Sequence, residues 1–572
     1  MGQALVTLVN PNRIQPVITP YAIDILTTSL EHAGFDVDVV DLNLRPHQWR
    51  PMLADYFATH RPLLVGITIR NTDTIYPQEQ KVFVGEHREI IAEIRLRTAA
   101  PTVAGGVGFS SMPFALVDYF GVDYGVKGPG EEIICRLAAA LADGGSVASV
   151  PGLIVNVGRG QIRRVPTEPS RYAAGSVLEA AGYGEGRAWQ VNRATPYVRR
   201  SGVPLKVDNL AYYQQGGLGN ILTKNGCTFA CSHCVEPDAK GNHFARRPVD
   251  AVVDEMESLT AQGVHDLHTT DSEFNLAIAH SKAVLREIVR RKAADNGSPL
   301  HDLRLWIYSQ PAPFDEEFAD LLAQAGCRGI NVAPDHVRDD LLAGWKVTAR
   351  GTRYYSFDDT ERVVKLAHRY GISTMVEILL GMPGETPASV RECVDTALAL
   401  NATVTGFTLG LRVFPYSPLG MHLARQCGGV RTVPGLQSNT ATEPIVLTPI
   451  ELCADVTAYE RQFMFERSRA FRPVYYFSPD LPEDRETVDR PDGRRLRTIE
   501  FLWDHVPAAD HPRVMLPTAP GLTRHDNNYA DNPFLTCLVQ LGHQGAFWAR
   551  WPERDQIIEQ ARASGITVPV DV

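Results

Sequence analysis

The stretch Lys224-Asn-Gly-Cys227-Thr-Phe-Ala-Cys231-Ser-His-Cys234-Val-Glu-Pro237 gathers three of the nine cysteines of this 572-residue chain into eight residues. Three thiolates at spacings of four and three in one loop can hold a cube of iron and sulfide and leave its fourth iron without a cysteine. An open iron can bind a further ligand. Two other interpretations are a zinc site completed by His233 or a distant histidine, and three buried cysteines without a ligand. The pattern favours a cluster-bearing loop.

The cysteine loop stands at the start of a region in which predicted strands alternate with helices. Amphipathic helices at 248–261, 314–325 and 358–370 lie between apolar strand segments. Six such units predict a partial (β/α)6 barrel over residues 216–420, with its chemistry at the carboxyl ends of the strands. The predicted strands are 220–223, 267–269, 303–308, 329–332, 373–379 and 406–413.

Residues 1–155 show a second alternation of strands and helices, which predicts a doubly wound, Rossmann-like parallel sheet. Ligands of such sheets lie outside the carboxyl ends of the strands, where this chain has glycine-rich turns. Residues 156–215 have no clear period and are interpreted as a linker that packs on its neighbours. Residues 421–572 are expected to form an α-rich capping or substrate domain. The predicted strands of the first region are 4–9, 35–40, 63–69, 101–104 and 122–126.

Composition excludes several classes of function. The chain has 56 Lys and Arg against 66 Asp and Glu, a formal net charge of −10, which argues against sequence-independent binding to nucleic-acid phosphates. No apolar run reaches the length of a membrane-spanning helix. The N-terminus has no signal-peptide pattern, and the cysteines are too uneven for a disulfide framework. We therefore expect an enzyme of the reducing cytoplasm, with no membrane or nucleic-acid partner.

The CxxxCxxC loop after the first barrel strand, with an aromatic residue before its last cysteine, resembles the radical S-adenosylmethionine (SAM) superfamily over about residues 215–420. This resemblance implies a [4Fe-4S] cluster on Cys227, Cys231 and Cys234 whose open iron binds the amino and carboxylate groups of SAM. It also implies cofactor contacts from residues near the barrel mouth, namely His233, Ser272, Gln310, Glu377 and Arg412.

One segment departs from that family. After the second strand the family has Gly-Gly-Glu, whereas this chain has Asp271-Ser272-Glu273. Loss of the glycines restricts the backbone, and a carboxylate oxygen is a competent iron ligand. We hypothesise that Glu273 lies near or on the open iron and disfavours reductive cleavage of SAM. The alternative is a glutamate that contacts SAM in the usual way.

The N-terminal sheet resembles the cobalamin-binding domain of the cobalamin-dependent members of the superfamily. The resemblance rests on Asn10-Pro-Asn, Ala104-Gly105-Gly106 and Gly128-Pro-Gly130-Glu131-Glu132. It implies that Gly105, Gly106, Gly128, Gly130 and Glu131 border a corrinoid, although a nucleotide-binding or purely structural sheet would have similar turns. Transfer-RNA methylthiotransferases also place a sheet before the barrel, but they need three more cysteines there, and this region holds Cys135 alone.

The third strand ends in Ile67-Thr-Ile-Arg70-Asn-Thr72, and residues 1–155 lack the Asp-x-His-x-x-Gly pattern that places a histidine under cobalt. Arginine stays protonated and has no lone pair for a metal. We predict that Arg70, with Thr72 beside it, borders the lower corrin face, excludes a lower ligand and favours the less charged cobalt. The alternative is an Arg70 in a surface ion pair or on a phosphate.

Cobalamin, SAM and a cluster together imply methyl transfer, by a radical or a polar route. The departures at Arg70 and Asp271-Ser272 favour the polar route. The whole arrangement resembles the tryptophan 2-C-methyltransferases of thiostrepton-type thiopeptide biosynthesis, which implies L-tryptophan as acceptor and an external electron donor. Tyr308, at the tip of the third barrel strand, is predicted to polarise or accept the indole N–H proton; a core tyrosine with a satisfied hydroxyl is the alternative.

Two other functions remain open from the sequence. One is a radical cobalamin-dependent methylase that acts on an sp3 carbon or a phosphinate, and it would form 5′-deoxyadenosine with its product. The other is a non-catalytic corrinoid sensor whose cluster is structural.

Overall fold

The computed structural model describes residues 3–14, 17–74, 82–158, 161–165, 207–241, 244–348, 351, 353–414, 416–420, 474–478, 487–489, 495–516, 533–543 and 547–568. Two seven-stranded sheets, one in each half of the chain, organise these residues. The predicted α/β class, with an N-terminal doubly wound sheet followed by a partial barrel, is confirmed.

The first sheet has the strand order β2-β1-β3-β4-β5-β6-β7. Its first five strands are parallel, and their apolar runs are buried because helices cover both faces. The strands are β1 (Leu5–Asn10), β2 (Asp36–Asp41), β3 (Leu64–Thr68), β4 (Thr102–Gly105), β5 (Tyr124–Val126), β6 (Leu153–Gly158) and β7 (Gln161–Arg164). The helices are α1 (Tyr21–His32), α2 (Trp49–Thr59), α3 (Val84–Arg97), α4 (Val107–Ser110), α5 (Pro113–Phe120) and α6 (Glu131–Ala142).

The edge of this sheet extends beyond residue 155. Strands β6 and β7 pair antiparallel and continue the sheet to Arg164, inside the segment expected to be a linker. The sequence did not reveal them, because the four residues of β7, Gln-Ile-Arg-Arg, are too few to establish a two-residue period. Residues 166–206 of the expected linker lie outside the described residues. Helix α7 (Asn209–Gln214) returns to the first sheet, where the Tyr212 hydroxyl donates to Asp41 Oδ2 at 2.7 Å.

The second sheet is a partial barrel with the order β8-β11-β12-β13-β14-β15-β20, all neighbours parallel. Its seventh strand comes from the C-terminal region, and two residues gave too little signal to predict it. The strands of this half are β8 (Gly219–Ile221), β9 (Lys224–Asn225), β10 (Ala245–Arg246), β11 (Asp266–Thr269), β12 (Arg304–Ser309), β13 (Cys327–Asp335), β14 (Ser373–Leu380), β15 (Val404–Leu409), β16 (Leu411–Val413), β17 (Val474–Tyr476), β18 (Thr487–Asp489), β19 (Arg495–Arg497) and β20 (Val514–Met515).

The segment 406–413, predicted as one strand, forms two. Gly410 has a φ of +92° and ends β15, after which β16 leaves the barrel and pairs with β17. The helices of this half are α8 (Glu236–Lys240), α9 (Val249–Ala261), α10 (Ile278–Ala294), α11 (Glu316–Ala325), α12 (Asp339–Trp345), α13 (Phe357–Arg369), α14 (Pro387–Ala399), α15 (Thr498–His505), α16 (Pro533–Gln540) and α17 (Arg554–Ala563). Among the described helices, none is both long and apolar enough to cross a membrane.

The two sheets share a core. Met382 and Leu411 of the barrel half are buried in the same apolar cluster as Ile69 and Phe109 of the N-terminal half. Helix α4, which follows β4, contacts helix α8, which follows the cysteine loop. The carboxyl ends of both sheets therefore face each other, and the loops that leave them line the space between the two halves.

Candidate active site

Backbone hydrogen bonds from three other segments fix the cysteine loop. The Cys227 amide donates to Gly241 O at 3.0 Å, the Ser232 amide donates to Trp345 O at 3.0 Å, and Leu419 donates to Ser232 O at 2.8 Å. Cys227 and Cys231 are 8% exposed and pack with Phe229 and Leu276. The position of the loop is therefore fixed by contacts with distant segments of the barrel half.

The surroundings of the cysteines suit a charged inorganic group. Burial raises the pKa of the Cys231 thiol to about 12. Its thiolate therefore needs a strong local cation, because buried charge needs compensation. Cys227, Cys231 and Cys234 belong to one apolar cluster of side chains, and a [4Fe-4S] group would supply the positive charge that their thiolates need.

The Asp271-Ser272-Glu273 segment lies against this loop. Asp271 accepts hydrogen bonds from the Thr223 amide at 2.7 Å and its hydroxyl at 2.5 Å, which ties β11 to the start of the loop. The Ser272 hydroxyl donates to Glu236 in α8. Both residues therefore stabilise the loop from outside, and Ser272 has a partner within the chain.

Glu273 is the strained residue of the segment. Its φ is +69°, in the region that favours glycine, and its Oε2 is buried with no hydrogen-bond partner. Burial raises its pKa to about 7, while Lys346 and a hydrogen bond with Gln310 lower it. The carboxylate interacts electrostatically with Cys227 and Cys231. Glu273 and Gln310 are thus brought together beside the cysteines.

Arg70, Tyr308 and His268 converge between the two sheets. Arg70 follows β3 and donates to Asn71 Oδ1 at 2.6 Å. Arg70 is exposed in this structure. Partial desolvation by neighbouring protein atoms lowers the pKa of its guanidinium, and the Tyr308 hydroxyl at the end of β12 opposes that shift. Tyr308 is 37% exposed, and the centroid of its ring lies 4.8 Å from that of His268 in an edge-on arrangement. Residues from the two halves of the chain thus approach each other in the space between the sheets.

His268 was missed in the sequence, although its place in β11, two residues after Asp266, puts it on the interior face. Burial, together with the positive charges of Arg70 and Lys240, lowers the His268 pKa to about 3. The imidazole is therefore neutral at physiological pH. It supports the Tyr308 ring without adding charge to the cavity.

The glycine turns of the first sheet hold Arg70 in place. Gly106 has a φ of +105°, and a Cβ there would lie 2.6 Å from the Ile69 carbonyl. A Cβ on Gly108 would lie 2.8 Å from the Arg70 carbonyl. Gly105 shows no such crowding. Part of the predicted glycine signal therefore reflects close packing of β4 and α4 on the segment that carries Arg70.

The other predicted corrinoid residues line the same edge. Gly128 has a φ of +82°, and its amide donates to Ser110 Oγ at 2.9 Å. Gly130 precedes α6 with an ordinary φ of −106°. Glu131, in the first turn of α6, is buried, and burial raises its pKa.

Arg412 and Thr72 meet at Asp73. The Arg412 guanidinium forms a 3.0 Å ion pair with Asp73, and the two side chains are 4% and 0% exposed. The Thr72 hydroxyl donates to the same carboxylate at 2.9 Å. Both residues were predicted to bind a cofactor. In the structure Arg412 joins the barrel half to the N-terminal half, and Thr72 holds the carboxylate that it pairs with.

Glu377 and His233 lie inside the barrel half. Burial raises the pKa of Glu377, which is hydrogen-bonded to Asn331. Burial lowers the pKa of His233, whose Nε2 lies 3.7 Å from Asp335 Oδ2. Asn331 Oδ1 and His233 Nδ1 are buried without hydrogen-bond partners, which leaves polar atoms for a ligand in the cavity.

Glu385 was also missed as a structural residue of the loop after β14. Its Oε2 accepts hydrogen bonds from the Gly381 amide at 2.5 Å and the Met382 amide at 2.6 Å, and His336 lies 2.9 Å from Oε1. The loop after β14 is therefore fixed by an internal carboxylate.

Comparison with known proteins agrees with this architecture. Residues 221–397 match the family model of the radical SAM superfamily, and residues 9–138 match the B12 binding domain. The chain is 58% identical over 595 residues to a tryptophan 2-C-methyltransferase of Streptomyces laurentii, covering 100% of this chain and 98% of that protein.

Two solved structures of a radical S-adenosylmethionine methyltransferase from Kitasatospora setae, TsrM, also match. One contains cobalamin and a [4Fe-4S] cluster, with 57% identity, a TM-score of 0.85 and coverage of 98% of this chain and 100% of that one. The other contains tryptophan and a SAM analogue, with 58% identity, a TM-score of 0.86 and coverage of 98% and 99%.

Proposed function

The chain belongs to the tryptophan 2-C-methyltransferase family of cobalamin-dependent radical SAM enzymes, and we propose that it moves a methyl group from SAM through cobalamin to carbon 2 of the indole of L-tryptophan by a polar, two-electron route. The observation that carries this proposal is the approach of Arg70, after β3 of the N-terminal sheet, to Tyr308 at the end of β12 of the barrel.

The chain's own residues suit the two prosthetic groups. Cys227, Cys231 and Cys234 would hold the [4Fe-4S] cluster, and the carboxyl edge of the first sheet from Arg70 to Glu131 would border cobalamin. When bound, cobalamin supplies a carrier for the methyl group between SAM and the acceptor carbon. The carboxyl ends of the two sheets face each other across a shared core, which supports a transfer in the space between the two halves.

Tyr308 would act on the acceptor. Carbon 2 of indole becomes more nucleophilic when the ring N–H donates to, or loses its proton to, a neighbouring oxygen. The Tyr308 hydroxyl lies at a strand tip, open to the cavity, and its ring rests on the neutral His268. The nearby positive charge of Arg70 stabilises negative charge that develops on the phenolic oxygen.

Two further features support the polar route. Arg70 offers hydrogen-bond donors but no lone pair, so it would border the corrinoid without ligating cobalt. Glu273 presents a buried carboxylate to the cysteine pocket, where SAM would otherwise chelate the open iron. Such a carboxylate would keep SAM off the iron and so disfavour its reductive cleavage.

The polar route consumes no electrons over one cycle, so a reductant would be needed only to bring an oxidised corrinoid to the state that accepts the methyl group. We propose an external electron donor for that step. The seven described cysteines are all free thiols, which suits the reducing cytoplasm that we propose as the location.

The proposal is tested by anaerobic incubation of the reconstituted full-length enzyme with SAM, cobalamin, a chemical reductant and L-tryptophan. We expect 2-methyltryptophan by mass spectrometry, and none from Cys231→Ala, which lacks a cluster ligand. Binding of cobalamin and SAM without S-adenosylhomocysteine under any reductant would contradict the proposal and indicate a corrinoid sensor.

A further inference from the structure

Lys346 is a buried cation in a segment that is hydrogen-bonded to the cysteine loop. It stands between Trp345 and Val347, whose carbonyls accept hydrogen bonds from Ser232 at 3.0 Å and Ala230 at 2.8 Å. Lys346 itself is 5% exposed. The segment whose carbonyls accept hydrogen bonds from the loop therefore also places Lys346 next to it.

The Lys346 ammonium is held rigidly. Its Nζ donates to Ala333 O at 3.0 Å and lies 2.8 Å from Asp335 Oδ2. Asp335 has a φ of +65°, and Tyr355, which donates to Pro334 O at 2.8 Å, closes the other side. A lysine this deeply buried costs desolvation energy, which its partners must offset.

Both charges of this pair act on Cys231. Lys346 interacts electrostatically with Cys231 and with Glu273, and at Cys231 its effect outweighs the opposing effect of Asp335. A fixed positive charge in a low-dielectric site stabilises negative charge beside it. The reduced form of a cluster carries one more negative charge than the oxidised form.

We propose that the Lys346–Asp335 pair sets the reduction potential of the cluster, with Lys346 raising it and Asp335 lowering it. Net charge around a cluster is one of the determinants of its potential. Lys346 is in this respect a positioning and electrostatic residue rather than a catalytic one. The inference rests on the proposed function, since it requires the [4Fe-4S] cluster in the cysteine loop.

The test is an anaerobic redox titration of the reconstituted full-length enzyme, followed by electron paramagnetic resonance of the reduced cluster. At one fixed potential, Lys346→Met is expected to lower the ratio of reduced to oxidised cluster about tenfold, equivalent to about 59 mV for one electron. Lys346→Arg, which keeps the charge, should restore the ratio. Lys365→Met, at a lysine whose side chain is 73% exposed, should leave it unchanged.

Asp335→Asn provides the opposite test. Asparagine accepts a positive φ and is nearly isosteric, so this variant removes the negative charge with little change of shape. We expect a shift to higher potential. Equal potentials in iron-loaded wild type, Lys346→Met and Asp335→Asn would overturn this inference but leave the proposed function standing. Shifts of the same sign in both variants would also overturn the inference. A wild-type enzyme that takes up no iron would overturn the proposed function as well.

Discussion

The guanidinium of Arg412 in the barrel half and the carboxylate of Asp73 in the N-terminal half form a 3.0 Å ion pair that is closed to solvent on both sides. They are 339 residues apart in the chain. The pair therefore joins the two halves of the chain, on whose relative position the approach of Arg70 to Tyr308 depends.

Breaking this ion pair should destabilise the enzyme. Arg412→Met leaves Asp73 as an uncompensated buried charge, which typically costs about 3–5 kcal/mol. Chemical denaturation followed by fluorescence measures the loss. The double variant Arg412→Met/Asp73→Leu should recover much of it, because it removes both charges. A single variant as stable as wild type would show that the pair does not hold the halves together.

Tyr308→Phe should lower methylation of tryptophan about 100-fold or more, since general acid–base groups commonly contribute that much. Cobalamin and cluster content should not change, because the ring and its contact with His268 remain. Single-turnover rates with quantified iron and cobalt measure the effect. Turnover near that of wild type would remove Tyr308 from the mechanism.

Arg70→Lys should retain the fold but reduce methyl transfer at least tenfold, because a lysine ammonium neither fills the planar guanidinium's space nor keeps its donors fixed. Cobalt content and the rate of product formation are measured together. Arg88→Lys, at an exposed arginine in the same domain, serves as the control and should behave as wild type. Equal rates in both variants would contradict the role given to Arg70.

Gly106→Ala should destabilise the N-terminal half by about 1–3 kcal/mol or more, from backbone strain and from contact with the Ile69 carbonyl. The matched variant Gly85→Ala lies in α3, where a Cβ meets nothing within 4 Å, and should be neutral or stabilising by up to about 1 kcal/mol. Thermal unfolding of both proteins provides the comparison. If Gly106→Ala is no less stable than Gly85→Ala, the close approach is not required.

His268 should make the apoprotein sensitive to acid. Its pKa is lowered from 6.5 to about 3 by burial and by Arg70 and Lys240, so the unfolded chain binds a proton that the folded chain does not. Stability should fall by about 1.4 kcal/mol per pH unit as the pH drops from 6.5 towards 3. His268→Gln should reduce this slope, whereas His301→Gln, at an exposed position, should not. Parallel slopes in wild type and His268→Gln would contradict the neutral buried imidazole.

Most of the fold could be predicted from the sequence because buried parallel strands and amphipathic helices carry strong periodic signals. The β6–β7 hairpin and β20 could not be predicted. Strands of two to four residues, or strands with glycine and arginine, show almost no periodic pattern of apolar residues. The cysteine loop could be identified because its ligands are adjacent in sequence.

The rest of the site depends on contacts between distant segments. Arg412 was expected to bind a cofactor near the barrel mouth, and no local sequence pattern indicates its partner Asp73. Lys346 and His268 were missed for a similar reason. A lysine after a short helix and a histidine in a strand have no distinctive sequence pattern. Only the fold places Lys346 near Cys231 and His268 against Tyr308.

The most direct test of the central claim, polar methyl transfer in the cavity between the two sheets, is the stoichiometry of the adenosyl products. The enzyme is supplied with SAM that carries a trideuterated methyl group, and the products are quantified by mass spectrometry. We predict one S-adenosylhomocysteine for each 2-methyltryptophan, three deuterium atoms in the product and no 5′-deoxyadenosine above background. One 5′-deoxyadenosine per methylated product would contradict the account and establish the radical route.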